Sequence, residues 1–457
     1  MKIVLARPSY HTHLITPPLG LGYISAYLKK HGFNETKLLD GLNYALSNEK
    51  ISDICQEYGC ELLGISVLTD YYSEVCDLIG RCKKKGIITV IGGPHVTAVP
   101  KKSLEGSGAD FAVVGEGEES MLDLANHLSS GTKAPIDIKG VYKLNNGNIK
   151  DREFIKDIDS LPLPDWEQMN PKSYEKAPHG GLIKNFPVAP IISSRGCPFA
   201  CSFCASPFIW KQKIRFRSPK NVVDEIELLV QEFGVKEIHF EDDNLTLKKS
   251  HVEQICQEII ARNLKISWAT PNGIRVETVT PELLSLMKKS GCYYLAFGIE
   301  SGNQRILDNI HKKTNLEIIE YAVRESKKAG IITQGFFIFG LPGETEETIN
   351  ETIRFAKKIP LDRAQFLLLD LLPGSELFHK LGTSTNLSPS SYRSYQDVTW
   401  IPEGLCSKTL QNAPSKAFRS FFFRPRQMLT LLKFFKLSQL KFILQRISDF
   451  NIFKIKH

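Results

Sequence analysis

Short apolar runs alternating with helical stretches constrain the fold of this chain more than any other feature. Lys2–Ala6, Leu62–Val67, Ile87–Ile91 and Phe111–Val114 are too short for buried helices and rich in β-branched residues. Each is followed by turn residues, and helices are expected over Tyr23–His31, Ser73–Lys85 and Glu119–Leu128. The pattern resumes after residue 187 with Ala189–Ile192, Glu237–Phe240, Ile266–Thr270, Tyr293–Ile299, Gly335–Phe339 and Ala364–Leu369. Strands separated by helices of this length pair in parallel, so the class is α/β with two successive sheets. The glycine-rich turns at the strand ends, Pro17–Gly22, Gly92–His95 and Gly115–Glu118, are expected to open a crevice where backbone can approach a ligand.

The chemistry concentrates between Arg195 and Cys204. Cys197, Cys201 and Cys204 lie at CxxxC and CxxC spacing on one short loop, beside Gly196 and Phe203. Three thiolates so placed can ligate three irons of a [4Fe–4S] cube and leave the fourth iron open. A zinc site would want a fourth Cys or His at matching spacing nearby, and none follows. The plainer alternative is three small buried hydrophobes. The other seven cysteines (Cys55, Cys60, Cys76, Cys82, Cys256, Cys292 and Cys406) fall singly in helix or strand contexts and are expected to be ordinary thiols.

The cysteine loop resembles that of the radical S-adenosylmethionine (SAM) superfamily, in which the open iron is chelated by SAM. Reductive cleavage then gives a 5′-deoxyadenosyl radical. The resemblance extends along the second sheet. Glu241, Asp242 and Asp243 end a strand, where they are expected to be too exposed and too mutually repulsive for a core. The resemblance puts Glu241 and Asp242 at the SAM amino group, with Phe203, Asn272 and Arg275 as further SAM contacts. Gly298–Gly302 with Arg305 resembles the ribose and carboxylate contacts, which implies Glu300, Ser301 and Arg305. A surface Glu and Arg at a helix start is the alternative. Gly335–Thr345 resembles the adenine-side motif.

As an ordered set, the N-terminal turns resemble the cobalamin-binding domain of B12-dependent radical SAM proteins. The resemblance implies a corrin groove lined by Gly20, Ser66, Leu68, Thr69, Gly92, Gly93, Pro94, His95, Gly115, Glu116 and Gly117. The DxHxxG motif that supplies a lower axial histidine is missing, so cobalamin is expected base-off with no histidine from that motif. His95 is the tempting substitute ligand, although a histidine after Gly-Gly-Pro usually caps the turn.

These readings divide the chain into a Rossmann-like cobalamin-binding domain (1–135), a linker (136–186), a partial (β/α)6 radical SAM barrel (187–382) and a basic helical C-terminal region (383–457). Within the linker, Val141–Leu144 and Asn146-Gly147 suggest a small hairpin. Leu161–Trp166 is expected to be an extended strap.

Charge is unevenly distributed. Residues 406–457 carry eleven Lys or Arg and one acid, while the rest of the chain is near neutral. The run 428–447 has apolar residues at helical spacing punctuated by Lys433, Lys436, Lys441 and Arg446. Such a helix suits an anionic membrane surface, a protein partner or packing on the barrel. The segment Phe421–Arg426 resembles the C-terminal region of relatives of the anaerobic magnesium-protoporphyrin monomethyl ester cyclase.

No nucleic-acid-binding module is visible. Arg7 and Pro8 come too early for a signal peptide, no apolar run reaches a bilayer span, and the thiols suit a reducing cytoplasm. The family resemblance implies C-methylation of a small-molecule or lipid-like substrate through methylcobalamin, with flavodoxin or ferredoxin as electron donor. Cyclisation or ring rearrangement without methyl transfer is the first alternative, and a non-catalytic cobalamin or redox sensor the second. A methylthiotransferase fits poorly, because Cys55/Cys60 and Cys76/Cys82 lack cluster spacing.

Overall fold

The computed structural model describes residues 1–12, 15–131, 137–144, 150–174, 183–382, 398, 400–425 and 427. The chain forms two compact units that interleave along the sequence. The first takes Met1–Glu175, Ala189–Val235 and Leu371–Tyr392; the second takes Lys176–Val188, Lys236–Asp370 and Arg393–His457.

The first unit is built on β1 (Ile3–Arg7), β2 (Thr36–Asp40), β3 (Leu62–Ser66), β4 (Ile88–Gly92), β5 (Phe111–Val113) and β6 (Val141–Tyr142), in the order β2-β1-β3-β4-β5-β6. All pairs are parallel except β5–β6. Every residue of β1 is buried, as a strand covered on both faces requires. The strand order reverses between β1 and β3, which opens a crevice at the carboxyl ends of the strands.

The thiols of Cys55, Cys60 and Cys82 converge in the apolar core beside β3, so these three are not isolated as the sequence suggested. Their wide spacing in sequence hid the grouping. Val141–Tyr142 pairs with β5, and Gly140 N–H donates to Lys150 O at 2.8 Å, so this segment doubles back. The expected turn at Asn146-Gly147 lies outside the described residues.

One expectation in this unit changes. Pro17–Gly22 is not a turn preceding a helix from Tyr23. The helix runs Leu19–Lys30, with Pro18 presetting the backbone at its start, so Gly20 sits in the first helical turn. The strap also packs closely onto that helix. Asp165 accepts from Ser25 Oγ at 2.6 Å and pairs with Lys29 at 2.7 Å, and its N–H donates to Gly22 O.

Beyond β7 (Val188–Ile191), the antiparallel pair β8 (Ser194–Arg195) and β9 (Arg215–Phe216) brackets the cysteine loop.

In the second unit β10 (Glu237–Phe240), β11 (Ser267–Ile274), β12 (Cys292–Glu300), β13 (Ile332–Phe339) and β14 (Arg363–Leu368) follow one another in space, all parallel. β11 continues through Pro271–Gly273, beyond the strand Ile266–Thr270 expected from the sequence; a register shift between Thr270 and Ile274 absorbs the proline. The helix Glu346–Lys358 starts with a reciprocal Thr345/Thr348 capping box.

A further helix, Ser407–Phe422, packs Leu410, Ala413 and Ala417 against Phe339, Ile349 and Ile353. It falls within the C-terminal region expected to be helical, 383–457, although helical spacing is read only over 428–447; Pro414 lies inside this helix. The basic run 428–447 lies outside the described residues. Among the described residues no helix is long and apolar enough to cross a membrane.

Candidate active site

In the first unit, β8 delivers Arg195 and the chain then turns into the cysteine loop. Gly196 has φ +99°, and a Cβ there would collide with Lys213 O, so the entry to the loop admits only glycine. Cys201 is buried, while Cys197 and Cys204 are half-buried, and none forms a disulfide. Cys204 N–H donates to Cys201 O at 3.1 Å. The segment after β14 braces the loop, with Leu377 N–H donating to Ser202 O at 2.9 Å. Among the described residues no three His, Cys, Asp or Glu side chains stand gathered for a metal ion. The fit to an iron–sulfur cluster therefore rests on the donor set, three soft thiols on one short braced loop.

The ends of β3, β4 and β5 carry the crevice residues expected from sequence. Gly93 (φ +103°) lies so close to β3 that a Cβ would stand 2.9 Å from Val67 O. The chain then enters the short helix Pro94–Ala98. His95 Nδ1 meets Thr69 Oγ1 at 3.0 Å, and its ring lies 4.7 Å from that of Tyr72. Burial pushes its imidazole down to about 4, so it is neutral at pH 7. Leu68 is 39 % exposed, and a Cβ on Gly115 would meet nothing within 4 Å. A broad apolar ligand edge fits such a cradle of exposed backbone and Leu68. The helices Pro94–Ala98 and Ser206–Ile209 touch, and Phe208 and Ala98 converge on Gly374, so the cysteine loop and the crevice are neighbours in one unit.

An ion-pair network that sequence reasoning missed joins the two. Arg195 donates to Glu116 at 2.6 Å and to Glu118 at 2.7 Å, and its guanidinium lies 4.9 Å from the Tyr23 ring centre. Glu116 also accepts from Arg215 at 2.8 Å and from Ile155 N–H at 2.9 Å. Burial alone would raise the Glu116 pKa; Arg215 and Arg195 outweigh it and hold the carboxyl below its usual range. Adjacent to this group, Arg217 pairs with Glu225 at 2.5 Å, and Glu225 accepts from Trp166 Nε1 at 2.9 Å. The Glu116 and Glu118 side chains are thus directed at β8 and β9.

In the second unit, the acids after β10 are not the exposed trio expected. Asp242 is buried and Glu241 half-buried; only Asp243 is exposed. Burial, and next the neighbouring Asp242, pushes Glu241 up to about 8. The turn tolerates these acids because one of them can stay protonated. Asn272 Nδ2 donates to Asp242 O at 3.2 Å and to Glu241 O at 3.4 Å.

At the end of β12, Glu300 has φ +67° and forms a buried ion pair with Lys312 at 2.7 Å. Arg275 pairs with Glu277 at 3.0 Å and donates to Lys312 O. Ser301 Oγ meets Thr352 Oγ1 at 3.2 Å, and Arg305 donates to Gly343 O at 3.0 Å. Asn272 is thus joined to Glu241 and Asp242, and Arg275 to Glu300 through Lys312. Lys312 carried no sequence signal of its own.

The radical SAM superfamily model matches residues 191–356, and the B12 binding domain model matches residues 10–125. The chain is 31 % identical to an uncharacterized methyltransferase of Pyrococcus horikoshii, covering 94 % of each sequence. It is 30 % identical to the anaerobic magnesium-protoporphyrin IX monomethyl ester cyclase of Rubrivivax gelatinosus, covering 92 % of this chain and 77 % of the cyclase. Its fold matches the radical SAM methyltransferase TsrM of Kitasatospora setae, solved with cobalamin and a [4Fe–4S] cluster bound. That match has a TM-score of 0.71 at 18 % identity and covers 96 % of this chain and 92 % of that one.

Proposed function

The chain belongs to the cobalamin-binding radical SAM enzymes, and on that premise we propose that it methylates an unactivated carbon of a small-molecule or lipid-like substrate. The observation that carries this reading is the common placement of the cysteine loop and the glycine crevice, joined through Arg195, Glu116 and Glu118. When bound, the cluster supplies the electron that cleaves SAM, and the corrin supplies the carrier for the methyl group.

The chain's residues bind and position. Cys197, Cys201 and Cys204 take the cluster, and Phe203 borders SAM. The ends of β3, β4 and β5 would receive the corrin. Glu241 and Asp242 receive the SAM amino group. Glu241 is held neutral by burial, so an arriving ammonium is the partner that favours its ionised form. Asn272 and Arg275 border the same cofactor, Glu300 and Ser301 face its ribose, and Arg305 its carboxylate.

The test is anaerobic reconstitution with iron, sulfide and hydroxocobalamin, followed by dithionite and SAM. The products 5′-deoxyadenosine and S-adenosylhomocysteine are quantified beside a Cys201→Ala control. Both products, with deoxyadenosine lost in the control, are expected. Deoxyadenosine without S-adenosylhomocysteine would favour the second reading, a cyclase, for which the Rubrivivax relative is the precedent. SAM binding without any cleavage would indicate a sensor.

In the cell this reading places the enzyme in the cytoplasm, reduced by flavodoxin or ferredoxin. The basic run 428–447 would rest on the anionic inner membrane face. Co-sedimentation with phosphatidylglycerol vesicles, lost on truncation after residue 427, tests that placement.

A further inference from the structure

Side chains alternate between the two faces of the second sheet, and one face is packed by helices. Phe337, Phe339, Phe366 and Leu368 lie on the helix-covered face. The opposite face is set by register. Ala296 pairs with Gln334 and Gln334 with Arg363; one layer closer to the carboxyl ends, Gly298 pairs with Phe336 and Phe336 with Gln365. Paired residues of parallel strands point to the same side. Arg363, Gln334 and Gln365 therefore share this face with Tyr294, which packs with Ala269, Ala296 and Phe336.

These polar groups are poorly satisfied. Arg363 Nη1 and the fully buried Tyr294 hydroxyl meet no hydrogen-bond partner among the described residues. Gln334 reaches Gln365 Oε1 only at 3.5 Å. Elsewhere in the protein, guanidiniums of Arg195, Arg217 and Arg275 each face a carboxylate. The acids of this sheet are engaged too: Glu237 by His239, Tyr293 and the N–H groups of Lys184 and Asn185, and Glu300 by Lys312. Leaving a buried donor unmatched is costly, and most such groups in folded proteins have a partner. The Arg363 charge also lies near enough to the Tyr294 hydroxyl to influence its ionisation.

We propose that Arg363, Tyr294, Gln334 and Gln365 form a subsite for an oxyanion, a carboxylate or a phosphate, carried at one end of the substrate. The assignment rests on the radical SAM reading above, because it places chemistry at the carboxyl ends of the strands. Arg363 lies five residues before the end of β14, about 17 Å along the strand at roughly 3.3 Å per residue. Between that foot and the strand ends, the same face presents Phe336 and Ile338. The substrate is therefore elongated, with an apolar body lying along Phe336 and Ile338 and the reacting carbon at the end remote from the anion. A fork of N–H donors suits either oxyanion, since both accept two parallel hydrogen bonds.

The test is calorimetric titration of the full-length reconstituted protein with octanoate, octyl phosphate and neutral 1-octanol, without SAM turnover. At least one anion should bind about tenfold or more tightly than octanol, and the stronger of the two identifies the headgroup. Arg363→Met should weaken that anion by roughly 10- to 100-fold, the range of a hydrogen bond to a charged group. Arg363→Lys should keep part of the affinity. Tyr294→Phe, which preserves volume and fold, should lose roughly five- to tenfold. Equal anion binding by wild type, Arg363→Met and Tyr294→Phe would overturn the subsite, as would octanol matching the anions or neither anion binding. Failure of the functional reading appears separately, as wild-type protein that makes no 5′-deoxyadenosine.

Discussion

Replacing Arg195 with methionine should destabilise the first unit by about 3 kcal/mol, the lower part of the range for breaking a buried ion pair. The size follows from the arrangement. Both Glu116 and Glu118 have side chains about 5 % exposed, so neither can recover hydration. Glu116 keeps Arg215 and Ile155 N–H after the substitution, whereas the ion pair of Glu118 is with Arg195. One carboxylate is orphaned, not two. Glu118→Gln removes a charge but leaves Arg195 with Glu116, at a cost of roughly 1–2 kcal/mol.

The double variant Arg195→Met/Glu118→Gln should then be less destabilised than the sum of the singles, because the orphaned charge is gone. Anaerobic urea unfolding followed by tryptophan fluorescence reads the stability, and iron and sulfide content reads the adjoining loop. A cost below about 1 kcal/mol for Arg195→Met, or strict additivity in the double variant, would refute the reasoning.

Three further outcomes are expected. Gly93→Ala forces a Cβ towards Val67 O in a left-handed backbone, at roughly 1–3 kcal/mol, and should reduce corrinoid retained after gel filtration, read by absorbance. Lys312→Met removes the partner of a buried Glu300, at about 3–5 kcal/mol, and should weaken SAM binding in equilibrium dialysis. Glu344, fully buried after β13, is pushed by burial from its ordinary 4.5 up to about 8. The native state then holds a proton that the unfolded state releases, so this contribution is complete below pH 4.5 and is lost as pH rises through 8. Glu344→Gln should flatten the decline in stability across that window in urea titrations.

The strands were legible because parallel sheets covered on both faces need unbroken apolar runs, and those runs stand out in β1, β3 and β12. The cysteine loop was legible because its ligands are neighbours in sequence. What escaped notice depends on distant partners or on local signals with two meanings. Pro17-Pro18 reads as a turn, although proline is equally at home just ahead of a helix. Pro271–Gly273 reads as a strand end, yet β11 carries on through it. Asp242 reads as exposed because burial of an acid cannot be inferred from its type. The contacts of Arg195 with Glu116 and Glu118 span 77 to 79 residues, and those of Arg363 depend on strand register, which no local pattern encodes.

The first unit is assembled from three stretches, the last of which begins at Leu371. During synthesis, Leu377 cannot reach Ser202 until the ribosome has already released β10 to β14. The brace on the cysteine loop is therefore among the last contacts to form, a pairing of high sequence separation that makes folding slow. An N-terminal fragment ending at residue 186 would lack two of the three stretches and should not be a stable cobalamin-binding module. Cluster and corrin loading would be completed only after the second sheet has been made.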